Sequence, residues 1–216
     1  MRPAFVMTGT DTDVGKTVLA AALIAALDGC YWKPVQCGLV DETDAEIVRR
    51  LAGARDSQII PEVYRLTTPA SPHLAAERDG VEIDVDRLAA LPDAGGVRPL
   101  IIEGAGGLMV PLTRRFLQID LFAHWGLPVI LCSSTRLGTI NHSLLSIEAL
   151  KRRGIPLLGI AFVGEEQADS ERTIVEMGGV RRLGRLPHID PLDGASLRAA
   201  FERNFRRSDF LADAET

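Results

Sequence analysis

Gly9-Thr10-Asp11-Thr12-Asp13-Val14-Gly15-Lys16-Thr17, reading GTDTDVGKT, is the stretch on which the fold turns. It ends as a phosphate-binding loop ends, but the pattern GxxxxGK[ST] counted back from Gly15 puts Thr10, not Gly9, in the first glycine position. The spacing is intact and one residue type is changed. The physical mechanism survives that change. Backbone N–H groups and the start of the following helix face the phosphates, Lys16 supplies a point charge, and the Thr17 hydroxyl can ligate Mg2+. Thr10, Asp11, Thr12, Asp13, Val14, Gly15, Lys16 and Thr17 are therefore the expected nucleotide-binding segment. The bland alternative is an ordinary strand-to-helix turn carrying a surface lysine. An apolar strand before the loop, Phe5-Val6-Met7, and an apolar helical run after it, Val18 to Leu27, favour the phosphate loop.

Outward from the loop, short β-rich apolar runs alternate with stretches of helical period. Strands are expected at Cys30 to Lys33, Leu100 to Glu103, Pro128 to Cys132 and Leu157 to Val163, with a weaker one at Arg182 to Leu186. Helices are expected near Asp44 to Ala52, Val85 to Leu91, Ile140 to Arg153, Ser170 to Met177 and Ala195 to Arg206. Continuously apolar strands separated by helices imply a doubly wound α/β fold: a mostly parallel sheet with helices on both faces, of the P-loop NTPase type. With 216 residues, 46% of them hydrophobic, one domain over residues 1–207 is expected, followed by a polar, frayed tail at 208–216. The net charge of -5 offers no global field for nucleic acid or an anionic membrane. No apolar run approaches the length of a membrane span, so a cytoplasmic location is expected. Three cysteines without CxxC spacing or a histidine cluster argue against a zinc site or a disulfide framework.

In sheets of this type ligands gather beyond the carboxyl ends of the strands. Leu100-Ile101-Ile102-Glu103 ends in a carboxylate where P-loop proteins place an acid near Mg2+, and it runs into Gly104-Ala105-Gly106-Gly107, read as a flexible turn that admits another molecule close to the backbone. Asp44 is a second carboxylate at a helix start, where capping is the competing explanation. Lys33 closes an otherwise buried strand beside Pro34, a poor place for a solvated charge and a good one for an anion near the γ-phosphate. The helix opening at Gly138-Thr139-Ile140-Asn141 presents free N–H groups suited to a carboxylate. The four histidines have no metal-ligand spacing, and no GxSxG elbow occurs.

Taken together, GTDTDVGKT at 9–17, KPV at 33–35, TDA at 43–45, SPHLAAE at 71–77, EGAGGLMVPL at 103–112 and LGTINH at 137–142 resemble the dethiobiotin synthetases, in that family's order. The resemblance implies an ATP-dependent ring closure in biotin synthesis. A diamine, 7,8-diaminononanoate, takes up CO2 as a carbamate, the carbamate is phosphorylated by ATP, and the neighbouring amine closes the cyclic urea. It implies Thr17, Asp44 and Glu103 as Mg2+ ligands, Lys16 and Lys33 as the groups that neutralise phosphate and carbamate oxygens, and Thr12 beside the carbamate. Gly164 and Pro187 join the nucleotide set. Cys37, Gly104, Gly106 and Gly107 fall on the substrate side. Gly138, Thr139 and Asn141 would hold the substrate carboxylate across a homodimer interface.

Two departures mark this chain: Gln36 and Cys37 follow KPV where the family commonly has Ser at the second position, and Gly164 stands where an Asn usually reads the adenine edge. Two rival activities are weighed. A regulatory or partition ATPase would carry a signature lysine at the second loop position, which here is Asp11. A small-molecule kinase would need no CO2 and would leave a phosphorylated product.

Overall fold

A computed structural model describes residues 3–93, 96 and 98–211. The chain opens with β1 (Ala4–Gly9), α1 (Lys16–Leu27), β2 (Cys30–Trp32), β3 (Val35–Cys37) and α2 (Asp44–Ala52). Next come β4 (Ile59–Ile60), β5 (Tyr64–Leu66), α3 (Pro72–Asp79), α4 (Val85–Ala89), β6 (Leu100–Gly107), β7 (Pro111–Thr113) and β8 (Phe116–Leu117). The last elements are α5 (Gln118–Trp125), β9 (Val129–Ser134), α6 (Thr139–Arg152), β10 (Leu157–Val163), α7 (Ala168–Gly178), β11 (Arg182–Leu186) and α8 (Gly194–Asn204).

Seven strands form one sheet in the order β11-β10-β9-β1-β6-β2-β4, and every neighbouring pair runs parallel. The pleat of β1 shows how the layers are built. Phe5 and Met7 pack with the Ala- and Leu-rich α1, with α2 and with α8, whereas Val6 points to the opposite face among Ile119, Phe122 and Leu150 of α5 and α6. Strands apolar on both sides are what two helical layers require. Each fully buried leucine, such as Leu19 and Leu23, contributes about 2 kcal/mol of transfer free energy. Helices thus cover both faces, as the alternation of strand and helix in the sequence implies.

The order of strands also fixes where a ligand can go. From β1 the chain first builds outward through β2, β6 and β4 on one side, then through β9, β10 and β11 on the other. β1 is therefore the switch point, and the loop after it opens into the crevice where ligands bind in such sheets.

Two expectations change. Gly104–Gly107 is not a turn but the end of β6, held by pairing of Gly107 with Gly9. A Cβ at position 107 would lie 3.3 Å from the Gly9 carbonyl oxygen, so the bare backbone allows the two strands to run this close. Ser208 to Phe210 are not frayed, because Arg207–Phe210 forms a 3-10 turn that buries Phe210 against Phe201 and Phe205; residues 212–216 lie outside the described residues. No helix among the described residues is long and apolar enough to cross a membrane.

Candidate active site

The loop Thr10–Gly15 sits on the carboxyl end of β1 and feeds directly into α1. Gly15 is the helix cap at φ 92°, a left-handed conformation, and no side chain caps the helix start. The first N–H groups of α1 are therefore left for an anion. A Cβ on Gly15 would lie 2.7 Å from Val163 Cγ1, so glycine is required here by space as well as by φ. Lys16, only 6% exposed, donates to the Asp11 carbonyl and lies folded across the loop. The Thr10 amide donates to the Cys132 carbonyl and the Thr10 hydroxyl to Ser133 Oγ, which ties the loop to β9. Asp11, Thr12 and Asp13 are exposed at the loop's tip.

Thr17, one residue into α1, is the hub of the site. Its hydroxyl lies 3.1 Å from Asp44 Oδ1 and 2.9 Å from Glu103 Oε1, joining α1, the start of α2 and the middle of β6. Lys33 pairs with Asp44 Oδ2, and its ammonium is 3.7 Å from Glu103 Oε1. Lys33 is buried, which pulls its ammonium pKa down; the Glu103 charge opposes that pull, and the nearby Lys16 charge adds to it. Two lysines and two carboxylates in a largely buried pocket balance one another, the arrangement that lets buried charge persist.

Asp44 is available for this because it is not the cap of α2. Thr43 is: its side chain accepts from the Glu46 amide, and Glu46 answers with a bond from the Thr43 amide. The capping box leaves Asp44 at the first helical position with its carboxylate turned to Thr17 and Lys33. The capping alternative for Asp44 is thereby replaced by a neighbour.

On the far side of Glu103, the Tyr31 hydroxyl donates to Oε2 at 2.9 Å. Burial, and then the Glu103 charge, push the Tyr31 pKa well above its ordinary value, so the group stays a donor. Sequence reasoning missed this residue. The signal was present, since a tyrosine inside a buried strand needs a partner for its O–H.

Thr12 lies against the glycine-rich end of β6, where a Cβ on Gly106 would come within 3.2 Å of Thr12 Oγ1. Thr10, Asp11, Thr12 and Gly107 also line a groove of about 470 Å3 that carries the exposed apolar Met109 and Leu145. Gly104 packs on Phe122 and Gln118, whose side chain accepts from the Ala105 amide. Cys37 is half-buried near Lys33, and burial raises its thiol pKa to about 11. Gly138 and Asn141 are exposed at the start of α6, but the Thr139 hydroxyl turns inward onto Ser133 Oγ and the Ser134 carbonyl.

A cleft of about 620 Å3 runs from the loop to the ends of β10 and β11, lined among others by Gly15, Thr135, Gly164, Pro187 and Leu192. The size and the two-ended lining suit a nucleotide. Both positions expected on the base side, Gly164 and Pro187, line its wall. Gly164 has φ +127°, and its peptide is fully engaged: its N–H donates to the Leu186 carbonyl and its carbonyl accepts from Arg185. Thr135, whose hydroxyl faces position 164, and Arg185 were not foreseen.

The residues fit Mg2+. Thr17, Asp44 and Glu103 are hard oxygen donors gathered within hydrogen-bond reach, and the Lys33 ammonium already places a positive charge beside both carboxylates. No cluster of three or more His, Cys, Asp or Glu side chains suited to a metal occurs among the described residues.

Comparison with known proteins places the whole chain among relatives. A family model described as an AAA domain matches residues 4–196. An ATP-dependent dethiobiotin synthetase BioD of Rhodopseudomonas palustris strain TIE-1 is 62% identical over 214 residues, covering 99% of this chain and 100% of that protein. The protein of the same name from Nitrobacter hamburgensis is 60% identical, covering 98% of each chain. Among solved structures, a ParA family ATPase from Chlorobium tepidum superposes with a TM-score of 0.55 at 13% identity, covering 94% of this chain and 91% of that one. MinD of Pyrococcus furiosus gives 0.55 at 14% identity, covering 100% and 93%. At such low identity these two show the fold alone, a doubly wound P-loop architecture. With near-complete coverage at about 60% identity in sequence, the chain belongs to the ATP-dependent dethiobiotin synthetase family.

Proposed function

We propose that this protein closes the cyclic urea of dethiobiotin from 7,8-diaminononanoate and CO2, at the expense of ATP, in biotin biosynthesis. The observation that carries the reading is the convergence of Thr17, Lys33, Asp44 and Glu103 at the mouth of the phosphate loop, in a family of that name. One amine of the diamine adds to CO2 and loses a proton, giving a carbamate. A carbamate oxygen attacks the γ-phosphorus and ADP leaves. The second amine attacks the carbamoyl carbon, the ring C–N bond forms, and phosphate departs. Each step creates or moves negative charge on oxygens, so positioning and electrostatic stabilisation are what the protein must provide.

In this reading Lys16 and the N–H groups of Gly15 and its neighbours hold the phosphates. Lys33, buried beside them, faces the oxygens that carry charge between carbamate and γ-phosphate. Thr12 lies beside the carbamate, with Cys37, Gly104, Gly106 and Gly107 around the diamine. Gly164 and Pro187 flank the base. Thr17, Asp44 and Glu103 would hold Mg2+, which when bound neutralises phosphate oxygens. The protein acts in the cytoplasm as a homodimer, with Gly138, Thr139 and Asn141 of one copy at the other's diamine; exposed Met109 and Leu145 beside the loop support a second copy covering that groove. Leu145→Arg should then give a monomer by light scattering, with activity lost in parallel.

The test is diamine-dependent phosphate release with Mg-ATP and bicarbonate, together with mass spectrometry of the product. Appearance of the cyclic urea only when CO2 is supplied supports the reading. A phosphorylated acceptor, or hydrolysis indifferent to the diamine, would overturn it.

A further inference from the structure

Glu103 is 1% exposed, so each of its carboxylate oxygens must find its donors inside the protein. Oε1 accepts from the Thr17 hydroxyl and lies near the Lys33 ammonium. Oε2 accepts from Tyr31, the one hydrogen-bond donor it has among the described residues. Tyr31 is itself fully buried, its ring packed in the core beneath α1 and α2. In β2 it stands level with Ile101 of the neighbouring β6, two positions before Glu103, which lets the long phenol reach forward along the sheet to the carboxylate.

A carboxylate's terminal torsion is soft and roughly two-fold. With only Thr17 on one oxygen, nothing would hold the plane of the group, and the Lys33 ammonium 3.7 Å from Oε1 would be free to draw it away from Thr17. The Tyr31 O–H pins the opposite oxygen and removes that freedom.

We propose that Tyr31 is a positioning residue, whose hydroxyl fixes the Glu103 carboxylate so that Oε1 faces Thr17 and the divalent cation. The inference rests on the Mg2+ reading above. Tyr31 is fully buried, lines neither the 620 Å3 cleft nor the 470 Å3 groove, and acts through Glu103. Groups that orient a metal ligand in this way typically govern metal affinity by about 10–100-fold.

Tyr31→Phe keeps the ring and removes the hydroxyl. The assay is Mn2+ uptake followed by electron paramagnetic resonance, with full-length protein in excess over a non-hydrolysable ATP analogue, and nucleotide affinity measured separately in a chelator. The variant should bind Mn2+ about 10-fold more weakly, with nucleotide affinity in chelator unchanged. Equal Mn2+ affinity in the two proteins, even with a lowered melting temperature, would reduce Tyr31 to a core residue and overturn the proposal. Failure of the wild-type protein to take up Mn2+ would instead overturn the metal reading itself.

Should the variant not fold, the wild-type protein answers the question. It has two tyrosines, so 3-fluorotyrosine labelling gives two fluorine resonances, assigned with Tyr64→Phe. The Tyr31 resonance should move when Mg2+ is added to the nucleotide complex, and a resonance that stays still would refute the coupling.

Discussion

Replacing Lys33 by methionine removes a charge while nearly conserving shape, and the surroundings set the size of the effect. The Lys33 side chain is 9% exposed, its partner Glu103 0%, and Asp44 24%. Removing one member of a buried ion pair costs about 3–5 kcal/mol. Here Glu103 keeps its Thr17 and Tyr31 donors and Asp44 is partly hydrated, so the loss should be nearer about 2–3 kcal/mol. For a chain of this length that is a fall in melting temperature of about 5–10 °C without metal. The two carboxylates are then left with no ammonium between them, and Mg2+ has no competitor. Mg2+ should therefore raise the melting temperature of Lys33→Met more than that of the wild type. Turnover should drop roughly 10²–10³-fold, the usual cost of one electrostatic contact to developing charge, with the nucleotide still bound. Thermal unfolding with and without Mg2+, beside the phosphate-release assay, reads all three. A variant as stable as the wild type without metal, or equal Mg2+ shifts in both, would refute the charge-balance reasoning.

The base-side wall makes a second prediction. A Cβ at position 164 would lie 2.5 Å from Thr135 Oγ1 at φ +127°, so Gly164→Asn should destabilise by about 1–3 kcal/mol in denaturant unfolding, and adding Thr135→Ala should recover part of it. A neutral single variant would mean that the wall yields freely. A third concerns Cys37, whose thiol is raised from 9.0 to about 11 by burial. At pH 8 about one thiol in a thousand is ionised, so iodoacetamide labelling followed by mass spectrometry should be slow and should accelerate up to about pH 11. Between pH 9 and 11 the folded chain keeps a proton that the unfolded chain releases, so this group's contribution to stability is full below pH 9 and is lost as pH rises through 11. Fast labelling at pH 8 would contradict the burial. Cys37→Ser should keep turnover.

The central sheet was legible because its strands are unbroken apolar runs, which only two covering layers explain. The glycine loop and Glu103 were legible because their spacing carries chemistry. Less could be read where tertiary contact outweighs local pattern. The short strands β3 and β5, and likewise β7 and β8, exist by pairing with each other, and α5 has Leu117 at its N-cap where a Ser, Thr, Asp or Asn would announce a helix, only Asp120 reaching back to the Leu117 amide. Gly104–Gly107 looks like a turn by composition and is strand because Gly9 lies close beside it. α3 did carry its signals, proline at the first turn and Gly80 after the last, and they went unread. Thr43 and Tyr31 escaped for another reason. Each acts on a neighbour that had already been singled out; the pattern can say that a buried tyrosine needs a partner, but which partner it serves is visible only once the distances are known.

The division of labour between Thr43 and Asp44 has a bearing on how often the enzyme can turn over. Had the aspartate also fastened the end of its helix, every departure of the cation would have set that carboxylate between two tasks, and α2 would loosen whenever spent nucleotide left. With Thr43 and Glu46 closing the helix by themselves, α2 is complete whether the cation is present or not. A cation held by Asp44 would then arrive and leave with each nucleotide as cargo, not as a rivet on which the helix depends.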